Sequence, residues 1–394
     1  MKVLLISNYE PLKQLSMARF GNLMRDVLIQ AGEDVRVVRP RPVFSRFGGR
    51  ASSLSKYLGY IDRYVVFPLE LRRAAAWADV VHICDHSDAM YLRWLGKKPH
   101  VVTCHDMIGI RNGSGEFVGY RPRISGRVQQ RWILRWLRRA QHIVCVSEQT
   151  REELVRVSGI AGERSSIVCN ALNYPYRPTD RAEASFHLAR LGLAHSKKFV
   201  LHVGGNQWYK NRAGLLRIFK ALVSVPGQED LWLVMAGKPW TTAIRDYVRQ
   251  AGLEGRVLEL TAVSNEELRA LYSTARALVF PSLYEGFGWP IIEAQACGCP
   301  VFTSDRPPMT DVGGEGAVYF DPEDELGAAR EIAARLADRE RMQARGAENA
   351  ARYSRESMVA GYLDAYRRVA AEHAGECVSV PPATEAKPEE RANV

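Results

Sequence analysis

The chain has 394 residues, of which 46% are hydrophobic and 25% are charged. This is an ordinary composition for a soluble globular protein, and the length predicts two domains rather than one hydrophobic core. No apolar run is long enough to span a membrane. The net charge of +10 is compatible with a nucleic acid, an anionic membrane surface or an anionic substrate. The sequence has no zinc-finger spacing and no RNP-like aromatic motif, which argues against nucleic acid.

The seven cysteines are scattered along the chain, and no CxxC pair suggests a zinc or dithiol redox site. Most of them lie in apolar stretches, where we expect small buried side chains. A reducing cytoplasm is therefore the predicted location. The opening residues MKVLLISNYEP lack a small-residue cleavage site and predict a first strand rather than a signal peptide.

Short β-rich runs alternate along the chain with stretches long enough for crossover helices. Most of the runs are continuously apolar, which is typical of strands buried on both faces of a parallel sheet. The pattern predicts an α/β protein with two doubly wound halves. The runs lie at 2–7, 34–38, 79–83, 100–104, 142–146 and 166–169 in the first half, and at 199–203, 231–236, 256–260, 277–281, 300–303 and 317–320 in the second half.

A polar segment at 171–198 carries Pro175 and Pro178 and precedes a new strand, so it is the predicted domain boundary. In open parallel sheets, ligands bind at the carboxyl ends of the strands near the topological switch. We therefore expect the functional site between the two halves. The end of the chain is rich in Pro, Glu and Ala, which predicts a disordered tail over 373–394.

The stretch SLYEGFGWPIIEAQACGCPVFTSD begins at Ser282 and places seven residues between two glutamates, Glu285 and Glu293. Gly286 and Gly288 permit positive φ and a close approach of the backbone to a ligand. A helix is predicted to begin at Pro290. Its free N–H groups and positive dipole end suit an anion such as a diphosphate. Glu285 can accept hydrogen bonds from sugar hydroxyls, and Glu293 from the two vicinal hydroxyls of a ribose.

Two further segments end strands at the same predicted edge. In HVGGNQWYKNRAGLL, Lys210 precedes a helical run and can pair with a pyrophosphate. In TCHD, His105 follows a buried strand of the first half. Asp85 and His86 follow another strand and are weaker candidates for contact with an acceptor.

The motif YEGFGWPIIEAQACGCPV resembles the E-x7-E signature of the retaining glycosyltransferases of family 4, the group 1 glycosyltransferases with the GT-B fold. The resemblance extends over almost the whole chain, because four further segments before and after the motif stand in the family's order. They are VSEQTREEL (146–154), VCNAL (168–172), SNEELRALYSTARALVFPS (264–282) and YFDPED (319–324).

The resemblance implies two Rossmann-like domains facing a central cleft. The implied limits are 1–180 for an acceptor-binding domain, 190–353 for a nucleotide-sugar-binding domain, and 354–372 for a closing helix that packs back on the first domain. It also implies that no cofactor or metal is required. In the family, an Arg often stands where this chain has Gly205, and Arg212 is a candidate replacement. The family's Gly-Gly pair in the first loop is also missing here, where Ser16 and Arg19 are the polar neighbours of Gly21.

The resemblance assigns catalytic roles to Glu285 and His105, which hold the donor sugar, and to Lys210, which neutralises the leaving diphosphate. Glu293 is expected to bind the ribose, and the backbone near Val263 the base. The remaining expected donor contacts lie around the two motifs: Gly205, Arg212, Gly286, Phe287 and Gly288.

The segment RVQQRWILRWLRR at 127–139 predicts a basic amphipathic helix. Val128, Trp132 and Ile133 fall on its apolar half, with Trp136 and Leu137. Its arginines cluster on the opposite side. A solvated surface explains this arginine face, and so does attraction to anionic lipid headgroups.

The sequence as a whole predicts a cytoplasmic, metal-independent, retaining glycosyltransferase. It would transfer a hexose from a UDP- or GDP-linked sugar to a hydroxyl of a glycan, glycolipid or small acceptor, as in polysaccharide biosynthesis. The predicted partners are this donor, the acceptor and the inner face of an anionic membrane, and not nucleic acid. Two alternatives remain: a sugar-nucleotide epimerase of the same fold, and a catalytically inactive sugar-nucleotide-binding protein.

Overall fold

The computed structural model describes residues 1–12, 14–48, 53–117, 119–120, 122–193 and 197–375. Within these ranges, twelve β-strands form where the sequence predicted them, with ends shifted by a residue or two. They are β1 Lys2–Ile6, β2 Asp34–Val38, β3 Val80–Ile83, β4 His100–Cys104, β5 His142–Cys145, β6 Ser165–Ile167, β7 Phe199–Gly204, β8 Trp232–Gly237, β9 Val257–Thr261, β10 Ala277–Phe280, β11 Val301–Ser304 and β12 Ala317–Phe320.

The described residues also form α-helices, most of which connect successive strands. They are α1 Leu15–Gln30, α2 Ser53–Ile61, α3 Phe67–Trp77, α4 Ile108–Ser114, α5 Ile124–Leu137, α6 Glu148–Ser158, α7 Arg181–Arg190, α8 Arg212–Leu222, α9 Thr242–Gln250, α10 Asn265–Thr274, α11 Trp289–Ala296, α12 Met309–Gly313, α13 Glu325–Arg335, α14 Arg339–Ala351 and α15 Arg355–Ala374. A π-helical turn, Asp62–Val66, joins α2 and α3 into one helical run.

The strands form two six-stranded sheets in which every strand pairing is parallel. The first sheet has the order β2-β1-β3-β4-β5-β6, and the second has the order β12-β11-β10-β7-β8-β9. Strands such as β3 in the first sheet and β10 in the second are buried along their whole length. Apolar side chains therefore cover both faces of each sheet, which confirms the predicted α/β fold of two doubly wound sheets.

The strand order reverses between β1 and β3 in the first sheet and between β7 and β10 in the second. These reversals are the topological switch points at which open α/β sheets bind ligands. Lys210 follows β7 and Glu285 follows β10. Both motifs of the second half therefore meet at its switch point.

The last described helix, α15, packs on the first sheet although it follows the second sheet in the chain. The hydroxyls of Tyr362 and Thr103 lie 3.0 Å apart, and the hydroxyl of Tyr366 lies 2.7 Å from Nδ1 of His82. The helix extends to Ala374, two residues beyond the limit taken from the sequence. The rest of the predicted tail, 376–394, lies outside the described residues.

Most of the described cysteines are buried, as predicted. Buried cysteines are Cys84, Cys104, Cys145, Cys297 and Cys299. Cys169 is exposed, and Cys377 lies outside the described residues.

Candidate active site

The loop between β10 and α11 carries the first glutamate of the signature and contacts the first half of the molecule. Gly288 adopts a φ of 108° just before α11, a conformation that favours glycine. Gly286 is required for another reason: a Cβ built there would lie 1.6 Å from the carbonyl oxygen of His105. The close approach expected at Gly286 is therefore made to the backbone of the first half.

Hydrogen bonds hold this loop in place across the two halves. The hydroxyl of Ser147, which caps α6, donates to the carbonyl oxygen of Gly286 over 2.7 Å, and the hydroxyl of Thr150 reaches the same oxygen over 3.2 Å. The indole N–H of Trp289 donates to the carbonyl oxygen of Ala171 over 2.9 Å. Ser147 belongs to the segment 146–154 that resembles the family, but its contact with Gly286 was not predicted from the sequence.

Lys210 and Glu285 form a two-pronged ion pair across the switch point of the second sheet. The ammonium Nζ lies 2.6 Å from Oε1 and 2.7 Å from Oε2 of the carboxylate. The two side chains are only 18% and 8% exposed. The backbone N–H of Leu283 donates to the carbonyl oxygen of Tyr209 over 2.7 Å, which links the two loops. Lys210, predicted to bind the diphosphate, and Glu285, predicted to bind the sugar, therefore neutralise each other in this structure.

Helix α11 begins at Trp289, one residue before the predicted start at Pro290. Glu293 is thus the fifth residue of the helix and lies beyond its first turn. Its side chain is deeply buried, at 2% exposure. The hydroxyl of Tyr272 donates to one carboxylate oxygen over 2.9 Å, and the amide of Asn173 donates to the other over 3.1 Å.

Burial raises the pKa of Glu293, while the charge of Arg19 and the two hydrogen bonds oppose this shift. Each carboxylate oxygen keeps a lone pair for a further donor. At this burial, a ribose reaches the carboxylate only if the covering chain moves. The ribose role of Glu293 therefore stays a prediction.

His105 is buried behind the loop of Gly286. Its Nε2 lies 2.8 Å from the carbonyl oxygen of Cys84, so this nitrogen is the donor. The ring packs edge-on against Phe20, with centroids 4.6 Å apart. Burial lowers the pKa of His105, and this effect exceeds the opposing charge of Asp85. The ring is therefore neutral near pH 7 and lies at the cleft edge where the sequence placed it.

Arg19, on α1 of the first half, extends to the second half. Its Nη2 donates to Oδ1 of Asn265, the first residue of α10, over 3.2 Å. The preceding loop contains Ala262 with a φ of 56° and the half-buried Val263. The backbone that was predicted to meet the base therefore has an unusual conformation. The position of Arg19 could not be inferred from sequence spacing, because 246 residues separate it from Asn265.

Arg212, the candidate replacement for the missing arginine, is the first residue of α8 and is 5% exposed. Its Nη1 donates to the carbonyl oxygen of Lys238 over 3.0 Å and to the side chain of Asn206. Burial lowers the pKa of Arg212. The half-buried Gly205 lies on the preceding loop, where a Cβ would meet the side chain of Gln207.

Phe287 is buried and packs edge-on against Tyr353, with ring centroids 5.6 Å apart. It therefore supports the loop in this structure.

Within the described part of the chain, no three His, Cys, Asp or Glu side chains come together in a way that would hold a metal ion. Among the same residues, no helix has the length and hydropathy needed to cross a membrane.

Comparison with known families gives two matches that together cover most of the chain. The model described as "Glycosyltransferase Family 4" matches residues 24–174, and the model described as "Glycosyl transferases group 1" matches residues 185–353. Among curated proteins, the O-antigen chain mannosyltransferase B of Escherichia coli is 28% identical over 339 residues. The match covers 82% of this chain and 86% of that protein.

Solved structures share the fold. The sucrose-phosphate synthase of Thermosynechococcus elongatus superposes with a TM-score of 0.72 at 20% identity, covering 94% of this chain and all of that one. HepE of Anabaena, solved in complex with UDP and glucose, gives a TM-score of 0.68 at 17% identity, with coverage of 92% and 99%. The family matches, the two parallel sheets and the order of the motifs all indicate the same family. This chain belongs to the group 1 glycosyltransferases of family 4.

Proposed function

We propose that this glycosyltransferase transfers a hexose from a nucleotide diphosphate sugar, linked to UDP or GDP, to a hydroxyl of a glycan, glycolipid or small acceptor. The observation that carries the proposal is the ion pair of Lys210 and Glu285 at the switch point, beside the start of α11. A mannosyl donor is favoured by the relative named as a mannosyltransferase. A nucleotide sugar is favoured by the related fold solved with UDP and glucose.

In the proposed reaction, the donor breaks the ion pair of Lys210 and Glu285 and becomes the new partner of both side chains. The diphosphate takes the ammonium of Lys210 and the free N–H groups at the start of α11. Glu285 is then free to accept hydrogen bonds from the sugar hydroxyls. Lys210 stabilises negative charge as the bond to the diphosphate breaks, which is preorganised electrostatic catalysis. No metal is required in this scheme.

The proposed stereochemistry is retention. Glu285 is held by Lys210, and His105, the other side chain proposed to hold the sugar, is neutral because burial lowers its pKa. We assign neither side chain as a covalent nucleophile. The acceptor hydroxyl is proposed to attack from the same face that the diphosphate leaves, and its proton passes to the departing phosphate oxygen.

The test is release of nucleotide from UDP- and GDP-linked hexoses, measured with and without an acceptor glycoside, together with the identity of the remaining donor. A transferase releases nucleoside diphosphate faster when acceptor is present and forms a new glycoside. An epimerase would convert the donor with no dependence on acceptor. An inactive binding protein would bind nucleotide and release nothing, and either outcome would contradict the proposal.

The proposed location is the cytoplasm, at the anionic inner face of a membrane. Helix α5 carries exposed arginines, including Arg127, Arg131 and Arg135, as predicted, although Val128 is exposed rather than buried. The neighbouring helical run 53–77 has five apolar side chains spaced three or four residues apart, which places them on one face. This apolar stripe is 39–66% exposed and consists of Leu54, Tyr57, Ile61, Val65 and Leu69.

The apolar stripe and the arginines of α5 belong to adjacent helices, since Tyr64 packs edge-on against Trp132 at 5.2 Å. Exposed apolar side chains beside cationic ones suit a lipid surface with anionic headgroups. The double variant Arg131→Glu, Arg135→Glu is expected to bind anionic vesicles at least about tenfold more weakly, because each arginine near such a surface contributes about 1 kcal/mol.

Co-sedimentation with vesicles of anionic and of neutral lipid provides the measurement. The matched control is Arg330→Glu, Arg341→Glu, which makes the same change of charge at exposed positions on the second half. Equal loss of binding in both variants would assign the effect to net charge alone. If Arg131→Glu, Arg135→Glu binds anionic vesicles as tightly as the wild type, α5 does not contribute to membrane binding.

A further inference from the structure

The chain passes from the first sheet to the second through residues 168–180, which form no helix or strand. We call this stretch the connecting segment. The amide of Asn173 in this segment donates to Oε1 of Glu293 over 3.1 Å. The hydroxyl of the next residue, Tyr174, donates to Oε1 of Glu266 over 3.1 Å. The connecting segment therefore contacts the carboxylate that is proposed to bind the ribose.

Glu293 is a buried carboxylate with neutral hydrogen-bond partners among the described residues. It is 2% exposed, and Asn173 donates to its Oε1 while the hydroxyl of Tyr272 donates to its Oε2 over 2.9 Å. A buried acceptor that loses its partner incurs the cost of an unsatisfied polar group, and the cost is larger for a charged group. A ligand that displaces one of these partners must therefore be a hydrogen-bond donor itself.

The two partners of Glu293 differ in how firmly the structure holds them. Tyr272 lies on α10, and its side chain is fully buried. Asn173 is half-buried, and its backbone forms no hydrogen bond with another backbone group among the described residues. Local opening is easiest where buried contacts and backbone hydrogen bonds are few. Asn173 is therefore the partner that leaves Glu293 at the lower cost.

A ribose hydroxyl can take over the hydrogen bond that the amide of Asn173 makes. Both groups present a polar hydrogen to a carboxylate oxygen, so the exchange keeps the buried carboxylate satisfied. A 2′,3′-dideoxyribose carries no hydroxyl at these positions. It would leave Oε1 of Glu293 without a donor if Asn173 withdrew, and the bond between Asn173 and Glu293 therefore stays in place when such a ligand binds.

We propose that Asn173 is a specificity-determining residue, whose amide holds Oε1 of Glu293 until a ribose hydroxyl displaces it. The inference rests on the proposed function, because it requires Glu293 to be the ribose ligand. It goes beyond that function by assigning the selection of ribose over deoxyribose to a contact made by the connecting segment. The affinity for a ribonucleotide is reduced by the free energy needed to release Asn173.

The test is calorimetric titration of UDP, GDP and their 2′,3′-dideoxy forms into the wild type and Asn173→Ala. The variant should bind the ribonucleotide roughly tenfold more tightly, because no hydrogen bond to a charged group has to be broken first. It should bind the dideoxy form with the same Kd as the wild type, because this ligand does not displace Asn173. Tighter binding of both forms would identify Asn173 as a steric barrier and overturn the proposal.

Tyr174→Phe is the matched control, because it removes the hydrogen bond between the same segment and Glu266 without changing the contact with Glu293. Its Kd values should equal those of the wild type. Tighter binding in this control would assign the effect to a general loosening of the connecting segment, against the proposal. If Asn173→Ala does not fold, Asn173→Ser takes its place, since the serine side chain ends one bond short of the asparagine amide.

These measurements need no turnover, so they separate the role of Asn173 from the proposed function. Tighter binding of the ribonucleotide alone supports the role of Asn173. If acceptor then fails to accelerate nucleotide release, only the transferase proposal fails. Unchanged or weaker binding of the ribonucleotide in Asn173→Ala would overturn the role of Asn173 and leave the transferase proposal standing. Weaker binding would mean that Asn173 orients Glu293 for the ribose rather than competing with it.

Discussion

Gly286→Ala is expected to lower kcat/KM by roughly 100-fold or more, the order expected when reacting groups are displaced by about 1 Å. The added Cβ would lie 1.6 Å from the carbonyl oxygen of His105 and 3.0 Å from Cβ of Asp106. Both atoms belong to the first half, so the loop has to retreat and carry Glu285 with it. Steady-state kinetics with donor and acceptor, alongside the Tm, measure the effect.

Gly162→Ala is the matched control, because the nearest atom to its Cβ would be the end of the Arg151 side chain at 3.3 Å. This variant should keep wild-type kcat/KM. A Gly286→Ala variant with wild-type kcat/KM would show that the contact between Gly286 and His105 is not needed during turnover.

Glu285→Ala is expected to reduce kcat by roughly 100-fold or more, as for loss of a preorganised contact to the transition state. The proposed partner of this carboxylate is the sugar, whose shape and charge change as the glycosidic bond breaks. An interaction made mainly in the transition state affects kcat rather than KM. Glu285→Gln keeps an acceptor oxygen without the charge, so its kcat should lie between those of wild type and Glu285→Ala.

The measurement is steady-state kinetics with the donor identified by the release assay. Wild-type kcat in Glu285→Ala would refute the proposed sugar contact. A rise in KM with no change in kcat would instead assign Glu285 to binding that is equal in the ground and transition states.

The strands and their arrangement were predictable because burial on both faces leaves a continuous apolar run in the sequence. Runs such as KVLLI at 2–6 and ALVF at 277–280 form buried strands of the two sheets. The signature at Glu285 could also be placed after a strand and before a helix. For these elements, local sequence and tertiary burial favour the same structure.

The contacts that complete the site were not predictable, because they join residues distant in the chain. Lys210 and Glu285 are 75 residues apart, and Ser147 lies 139 residues from Gly286. The burial of Glu293 was also not predictable, because Asn173 and Tyr272 reach its carboxylate from other segments of the chain.

We propose that a nucleotide diphosphate sugar binds with its sugar at Glu285, its diphosphate at Lys210 and its ribose at Glu293. Calorimetric titration of nucleoside diphosphate into wild type, Glu285→Ala and Glu293→Gln separates the sugar contact from the ribose contact. Glu285→Ala should bind as tightly as wild type or more tightly, because Lys210 loses its competing carboxylate. Glu293→Gln should bind more weakly by roughly 1.5–3 kcal/mol, the loss expected for a charged hydrogen-bonded contact. Loss of nucleotide binding in Glu285→Ala, with binding intact in Glu293→Gln, would contradict the account.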